Sequence, residues 1–290
     1  MNKINQRIQL TDGRFLGFAE YGDENGKLVF HFHGSGSSRL ERPASIDILN
    51  TTGIRFISVD RPGHGLSDIQ PKRRLLDWAN DIAELADYLN AHEIYVTGHS
   101  AGGPHVLACA HQLPKLVIAG AVISSVAPMS RKNAYDGMPI MNQLLARASR
   151  YAPWLTKQVR RMMRNMVKGD TEKATRQLMS SIPPADKEAL YDAQNVEILV
   201  ASIREGFRQG YEAVAEDDIL INNKWGFNLV HIKPRIDIWH GDLDVNVPKH
   251  AGEYLAANIP NNRAIFLPNK GHFFVLNQWK EILEKLVYES

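Results

Sequence analysis

The pentapeptide Gly98-His99-Ser100-Ala101-Gly102 stands between a strand-like run, Ile94-Tyr95-Val96-Thr97, and a helix-like segment at 101–112. A sharp strand-to-helix turn forces its central residue into a strained backbone conformation, and glycine on both flanks removes the side chains that would clash there. The serine hydroxyl is then pushed out above the end of the strand, at a helix N-terminus whose dipole favours a developing anion. A G-x-S-x-G pattern is common by chance, but in this strand-turn-helix setting it points to a nucleophile at Ser100 rather than to an ordinary serine in a tight turn.

Such a turn belongs to a sheet covered by helices, and the rest of the chain reads that way. Short apolar runs at 28–33, 55–60, 94–98, 117–124, 236–240 and 264–267 end in polar or glycine-containing segments, as buried parallel strands do when their C-terminal ends carry the ligand site. Helical patterns lie between them at 75–90, 101–112, 249–258 and 278–288, so the expected class is α/β, a mostly parallel sheet flanked by helices. The region 9–21, with the polar turn that follows, suggests an antiparallel start to the sheet. From Pro128 to His231 the alternation fails: Met, Arg, Leu and Ala recur at helical spacing, Pro153 and Pro183-Pro184 break the helices, and no strand is evident. The expected organisation is a core of 1–127 and 232–290 with a helical cap, 128–231, inserted into it.

Composition narrows the function classes. With 44% hydrophobic and 23% charged residues the chain is an ordinary globular one, and its longest apolar stretch, 116–126, falls far short of the ~20 residues that span a bilayer. The N-terminal Met1-Asn2-Lys3-Ile4-Asn5-Gln6-Arg7 lacks the apolar region of a signal peptide, so a cytoplasmic protein without stable membrane insertion is expected. A formal charge of +2 is too mild for a nucleic-acid partner. The single cysteine, Cys109, sits among Leu107, Ala108 and Ala110 and reads as an inert core thiol. The expected partner is a small molecule, on a monomer or homodimer.

A serine hydroxyl needs a base in hydrogen-bond reach, itself oriented by a carboxylate. After the run 236–240 comes Gly241-Asp242-Leu243-Asp244-Val245-Asn246-Val247-Pro248, and after 264–267 comes Asn269-Lys270-Gly271-His272-Phe273. Asp244 and His272 therefore lie on loops at the same edge of the sheet as Ser100 and in the required order. Asp242, two residues away, remains an alternative acid; Asp237, inside the strand, suits a structural role. Of eleven histidines only His272 follows a late strand in a short glycine-containing loop, whereas His240, His250, His231 and His111 suit packing or surface roles. Acyl transfer also needs oxyanion donors, commonly the amide after the nucleophile and another from the loop after an early strand. Ala101 supplies the first, and Ser35, in His33-Gly34-Ser35-Gly36-Ser37-Ser38, is the candidate for the second, with His33, Gly34 and His99 as supporting residues.

Competing motifs fail on single positions. A dinucleotide fingerprint would need a third glycine at Arg39, and 22–27 is one residue short of a phosphate-binding loop, with Leu28 where a magnesium-binding hydroxyl belongs. His31 and His33 have the spacing of a metal pair, but no third ligand cluster accompanies them, so no metal and no cofactor is expected. His64, in Asp60-Arg61-Pro62-Gly63-His64-Gly65-Leu66-Ser67-Asp68, is expected to buttress the oxyanion loop.

Taken in order, His33-Gly34, Asp60 to Ser67, Gly98-His99-Ser100-Ala101-Gly102-Gly103, His240-Gly241 with Asp244 and Val247-Pro248, and Gly271-His272 resemble the α/β-hydrolase superfamily, in its esterase-like, proline-iminopeptidase-like and C–C-hydrolase-like branch. The resemblance runs from Phe15 to the C-terminus apart from the cap. It implies the fold and serine chemistry, and the serine at 100 disfavours the members that use aspartate there. It implies no particular substrate. A carboxylesterase acting on small to medium acyl esters is the leading expectation, with an aminopeptidase, a C–C hydrolase or a ligand-sensing signalling protein as alternatives.

The cap carries nine Lys or Arg between Arg147 and Arg176, against Asp170 and Glu172, interleaved with Met162, Met163 and Met166. Two readings stand: a solvated basic face over a methionine-filled inner face, or a lid that attracts anionic substrate. The second predicts that kcat/KM for carboxylate-bearing esters falls as salt rises past ~0.1 M, where screening shortens to ~10 Å, and that replacing Arg160, Arg161 and Arg164 with Gln removes the effect. The first predicts equal salt responses for charged and neutral esters.

Overall fold

Strand β3 (Lys27–Phe32) shows how the sheet is made. Val29, Phe30, His31 and Phe32 are all buried, because successive side chains face opposite sides and both sides are covered. Phe30 and Phe32 enter one apolar layer with Ile57, Val59 and Val96, and Val29 enters the other with Phe56, Tyr95 and Trp239. The same two-residue alternation runs through β4 (Ile54–Val59), β5 (Ile94–His99), β6 (Val117–Ile123) and β7 (Arg235–Gly241).

The computed structural model describes residues 2–289, so Met1 and Ser290, the outer ends of the two expected core segments, lie outside the described residues. With β1 (Asn2–Gln9), β2 (Phe15–Gly22) and β8 (Asn262–Leu267), the eight strands form one sheet in the order β1-β2-β4-β3-β5-β6-β7-β8. Only β2 runs against the others, pairing antiparallel with β1 and with β4. Helices α2 (Asp77–Tyr88), α3 (Gly103–Gln112) and α9 (His250–Asn258) cover one face; α1 (Asp47–Thr51) and α10 (Val275–Tyr288) cover the other. Cys109 lies wholly inside α3's contact with the sheet, where burial pushes its thiol well above the ordinary value.

The antiparallel start expected at 9–21 is a hairpin whose first strand lies earlier. β1 was not expected because its side chains are nearly all exposed, so no apolar alternation marks it and pairing with β2 defines it. The other expected strands and helices end within three residues of the observed ones.

Between β6 and β7 the chain forms α4 (Ile140–Tyr151), α5 (Pro153–Lys168), α6 (Thr171–Ser180), α7 (Ala193–Gly206) and α8 (Glu212–Asn222), with no strand among the described residues. Pro153 opens α5 at a position where its missing N–H is no loss. No described helix is long and apolar enough to cross a membrane.

Polar contacts moor this insertion to the core. Asp217 of α8 is fully buried; it accepts from Arg61 Nε at 2.6 Å, pairs with Arg73, and lies 3.6 Å from His64 Nε2. Ser202 of α7 meets Ser37 Oγ at 2.6 Å and accepts the Ser38 amide at 3.1 Å, and Glu205 accepts from Arg39 at 2.7 Å. Burial works against the Asp217 carboxylate, but Arg61 and Arg73 outweigh it and hold the group well below the ordinary carboxylate value.

Asp217→Ala, which strands the buried Arg61 guanidinium, is expected to cost about 3–5 kcal/mol in denaturant unfolding. Because the folded-state value is depressed, that contribution is complete above the unfolded value of about 4 and is lost as pH falls through the lower folded value. A loss under about 1 kcal/mol at neutral pH would show that the insertion is held elsewhere.

Candidate active site

Strand β5 delivers Ser100 into a short 3-10 turn, Ser100–Gly102, from which α3 departs. Ser100 has φ +53°, a left-handed conformation costing a non-glycine residue about 1–3 kcal/mol. The flanking glycines permit it: a Cβ on Gly98 would come within 2.5 Å of the Gly102 carbonyl, and one on Gly102 would strike the carbonyl of Phe32 in β3.

His272 lies in the loop after β8, with its Nδ1 2.7 Å from Asp244 Oδ2. The other oxygen, Oδ1, accepts the amides of Asn246 at 2.9 Å and Val247 at 2.8 Å, so the carboxylate is held from both ends. Burial disfavours charge on both partners, but the pairing wins, lowering Asp244 and raising His272 from their ordinary values. Asp242, the alternative acid, is exposed and accepts the Asn269 amide at 2.7 Å, away from His272. Asp237 is buried under Arg263 and Arg235.

The loop carrying His272 is clamped through its backbone. Ser124 Oγ donates to the His272 carbonyl at 3.2 Å, and His99 Nε2 lies 3.3 Å from the same oxygen. The Phe273 amide donates to Asp186 Oδ1 at 2.7 Å. Asp186 comes from the insertion, is buried, and its Oδ2 finds no hydrogen-bond partner among the described residues; burial pushes this carboxyl up.

Opposite lies the loop after β3. His33 Nε2 accepts the Arg61 amide at 3.2 Å, which fixes its proton on Nδ1, and that nitrogen donates to the Gly34 carbonyl at 2.8 Å. Burial and the Arg61 charge keep His33 neutral, well below the ordinary value, and the His64 ring packs 5.0 Å away, a buttress for this loop. Ser35 is half-buried and lines the same cavity as Ser100, and Ala101, the next residue in the turn, is buried.

Glu41 joins these parts and carries no recognisable sequence signal. Its Oε1 accepts from His31 Nε2 and His99 Nδ1, each at 3.2 Å, and its Oε2 accepts the Gly34 amide at 3.0 Å. Thr97 meets the other nitrogen of His31 at 2.8 Å, so His31, once a candidate metal ligand, is spent in this network. Burial alone would raise Glu41, yet hydrogen bonds from the two histidines hold it well below the ordinary value. Among the described residues no group of three or more side chains is arranged to hold a metal.

Ser100, His272 and Ser35 line one cavity of about 510 Å³, roofed by the insertion. Here the basic-face reading needs correction. Arg160 is not on a solvated face: it is 8% exposed, lines the cavity and pairs through Nε and Nη2 with Asp218 of α8. Met162, assigned to the inner face, is 72% exposed, whereas Met163 lines the cavity. Arg161 is exposed and Arg164 half-buried, so the three arginines do not act as one surface.

A family model described as "Alpha/beta hydrolase family" matches residues 28–285. The chain is 29% identical over 154 residues to a bifunctional esterase/perhydrolase of Acinetobacter calcoaceticus, covering 50% of this chain and 56% of that one. It is 29% identical over 137 residues to a non-heme chloroperoxidase of Streptomyces lividans, covering 46% and 50%. The chain thus spans about half the length of these curated relatives. Its fold matches a thermophilic esterase from Thermogutta terrifontis (TM-score 0.70, 17% identity, 98% of both chains). A meta-cleavage product hydrolase from Pseudomonas fluorescens matches as well (TM-score 0.69, 17% identity, 99% of this chain and 98% of that one).

Glu41→Gln replaces an acceptor with an amide whose N–H₂ faces donors, and is expected to destabilise the fold by about 1–3 kcal/mol. In the folded fraction the backbone amide resonances of Gly34 and His99 should both move from their wild-type positions, since the Gly34 loop and His99 share this one acceptor. Unchanged resonances at both positions would show that Glu41 only fills space.

Proposed function

The chain belongs to the alpha/beta hydrolase family, and we propose that within it this protein is a cofactor-independent serine hydrolase, a carboxylesterase acting on small to medium acyl esters. The observation that carries the reading is one constellation: a serine at φ +53° on the turn after β5, a His272–Asp244 pair at 2.7 Å, and one cavity lined by both Ser100 and His272.

In this mechanism Ser100 Oγ attacks the acyl carbon as His272 Nε2 takes its proton, while Asp244 holds Nδ1–H and stabilises the imidazolium. The amides of Ser35 and Ala101 donate to the oxyanion. Collapse of the tetrahedral intermediate breaks the ester C–O bond, and His272 returns the proton to the departing alkoxide. Water then repeats the sequence on the acyl-enzyme and regenerates Ser100. Segments 1–127 and 232–290 serve as the catalytic core and 128–231 as the cap over it. Kinship with a protein named as an esterase/perhydrolase supports ester chemistry. The mostly apolar cavity wall, with Met129, Leu145 and Val159, suits an acyl chain.

Ser100→Ala is expected to abolish covalent labelling by a fluorophosphonate while stability stays within ~1–2 kcal/mol. Labelling that persists in this variant would remove Ser100 as nucleophile. A sensing protein that retained the triad would instead show a p-nitrophenyl ester burst with almost no steady state.

Asp244→Asn should lower kcat by about three to four orders of magnitude without unfolding, because the amide favours the wrong imidazole tautomer. The enzyme needs His272 neutral, and Asp244 raises its value above the ordinary 6.5, so the acid limb of the wild-type kcat/KM profile should lie above that pH. In the residual activity of the variant the limb should move down. A large loss in Asp242→Asn, with Asp244→Asn active, would reassign the acid.

A further inference from the structure

Helix α5 sends one arginine into the cavity, and two of its three nitrogens are already committed. Arg160 Nε and Nη2 bond the two oxygens of Asp218, the latter at 3.0 Å. Nη2 also donates to Ser35 Oγ at 3.0 Å, and the Ser35 hydroxyl donates to Asp218 Oδ1 at 3.0 Å, closing a ring between the insertion and the loop after β3. Nη1 is left with the thioether sulfur of Met163, at 3.0 Å.

A guanidinium N–H is a strong, charged donor and a thioether sulfur is a weak acceptor. The wall of the cavity therefore presents a fixed donor to a partner that an oxygen would outcompete. The Asp218 fork holds the guanidinium in place during such an exchange, and Met163, unbranched and jointed, can turn aside. Besides Arg160 and Asp218 the charged side chains of this wall are Glu41, taken up by His31, His99 and the Gly34 amide, and Arg42, which donates to the Pro43 and Ala44 carbonyls. A mostly apolar site with a small number of placed polar groups is the usual form of a selective pocket.

We propose that Arg160 Nη1 is a substrate-recognition donor, and that the cavity takes an acyl chain bearing a neutral oxygen acceptor, a ketone or ether, which replaces the Met163 sulfur. This rests on the serine hydrolase reading and names its substrate class. The charge state of the ring selects a dipole over an anion: Asp218 neutralises Arg160, so a carboxylate entering beside Nη1 would also face the Asp218 carboxylate. The side of the cavity follows from Ser35, whose hydroxyl bonds Arg160 while its backbone amide faces the oxyanion in the proposed mechanism. The recognised oxygen thus belongs to the acyl half of the ester, and Arg160 discriminates substrates without acting on the reacting atoms.

The test is binding to the Ser100→Ala protein, by calorimetry, of methyl 5-oxohexanoate, methyl hexanoate and monomethyl adipate. The oxo-ester should bind about tenfold tighter than the alkyl ester, the scale of one hydrogen bond to a charged donor, and the carboxylate-bearing ester no tighter than the alkyl one. Adding Arg160→Met should bring the first ratio to about one. Since Arg160→Met alone strands a buried Asp218, the comparison is repeated with Arg160→Met and Asp218→Asn together, which removes both charges. Equal affinities for the oxo- and alkyl esters in Ser100→Ala, tighter binding of the carboxylate-bearing ester, or a preference that survives both variants would each overturn the proposal. Because binding is read without the serine, absence of ester turnover by the wild type would strike the hydrolase reading and leave this comparison standing.

Discussion

The close approach of the turn after β5 to strand β3 is the constraint on which the site depends. Gly102 sits against the Phe32 carbonyl with no room for a Cβ, and Gly98 has the Gly102 carbonyl in the same position. Only with those side chains missing can Ser100 take its left-handed conformation and α3 start where it does. The strain is about 1–3 kcal/mol, a large share of the 5–15 kcal/mol by which a domain is usually stable, and it persists because buried strand β5 fixes one end of the turn and buried helix α3 the other. The same contact sets the distance between Ser100 and the loop after β3, which runs on directly from Phe32.

Around that contact the molecule buries charge in linked pairs. Glu41 bonds two histidines and the Gly34 amide; Asp244 bonds His272 and two amides; Asp217 bonds Arg61 and Arg73. Each carboxylate is desolvated, and each is kept ionised by donors on another part of the chain. Burying an ion without such partners costs several kcal/mol, so these groups fix loop positions more than they add net stability. Glu41 links the end of β3 and the loop after it to His99, 58 residues on, and the His272 loop joins the network through its carbonyl and His99.

The insertion is tied to the core at several points, which gives it a different role from a loosely hinged flap. Ser202, Glu205, Asp217 and Asp218 all reach core loops, and Asp186 grips the backbone beside His272. These contacts make the roof part of the site's geometry. Arg160 shows what this does to charge: it counts as one of nine basic residues in a linear tally, yet its partner Asp218 lies 58 residues on and cancels it.

Local patterns in the sequence determined the class of fold, the strand and helix order, and the turn that carries Ser100, because alternation of apolar residues and glycine spacing are set by neighbours a few residues apart. They left β1 unseen, since an exposed edge strand has no apolar face to announce it. Asp242 and Asp244 are equivalent as letters; the fold separates them by turning one to the Asn269 amide and the other to His272. Glu41 follows the same logic, its partners being His31 and His99 on neighbouring strands. The placement of Arg160 inside the cavity rather than on a basic surface was likewise decided only by tertiary structure, because a side chain's charge is a local property whereas its compensation depends on which distant carboxylate the fold brings beside it.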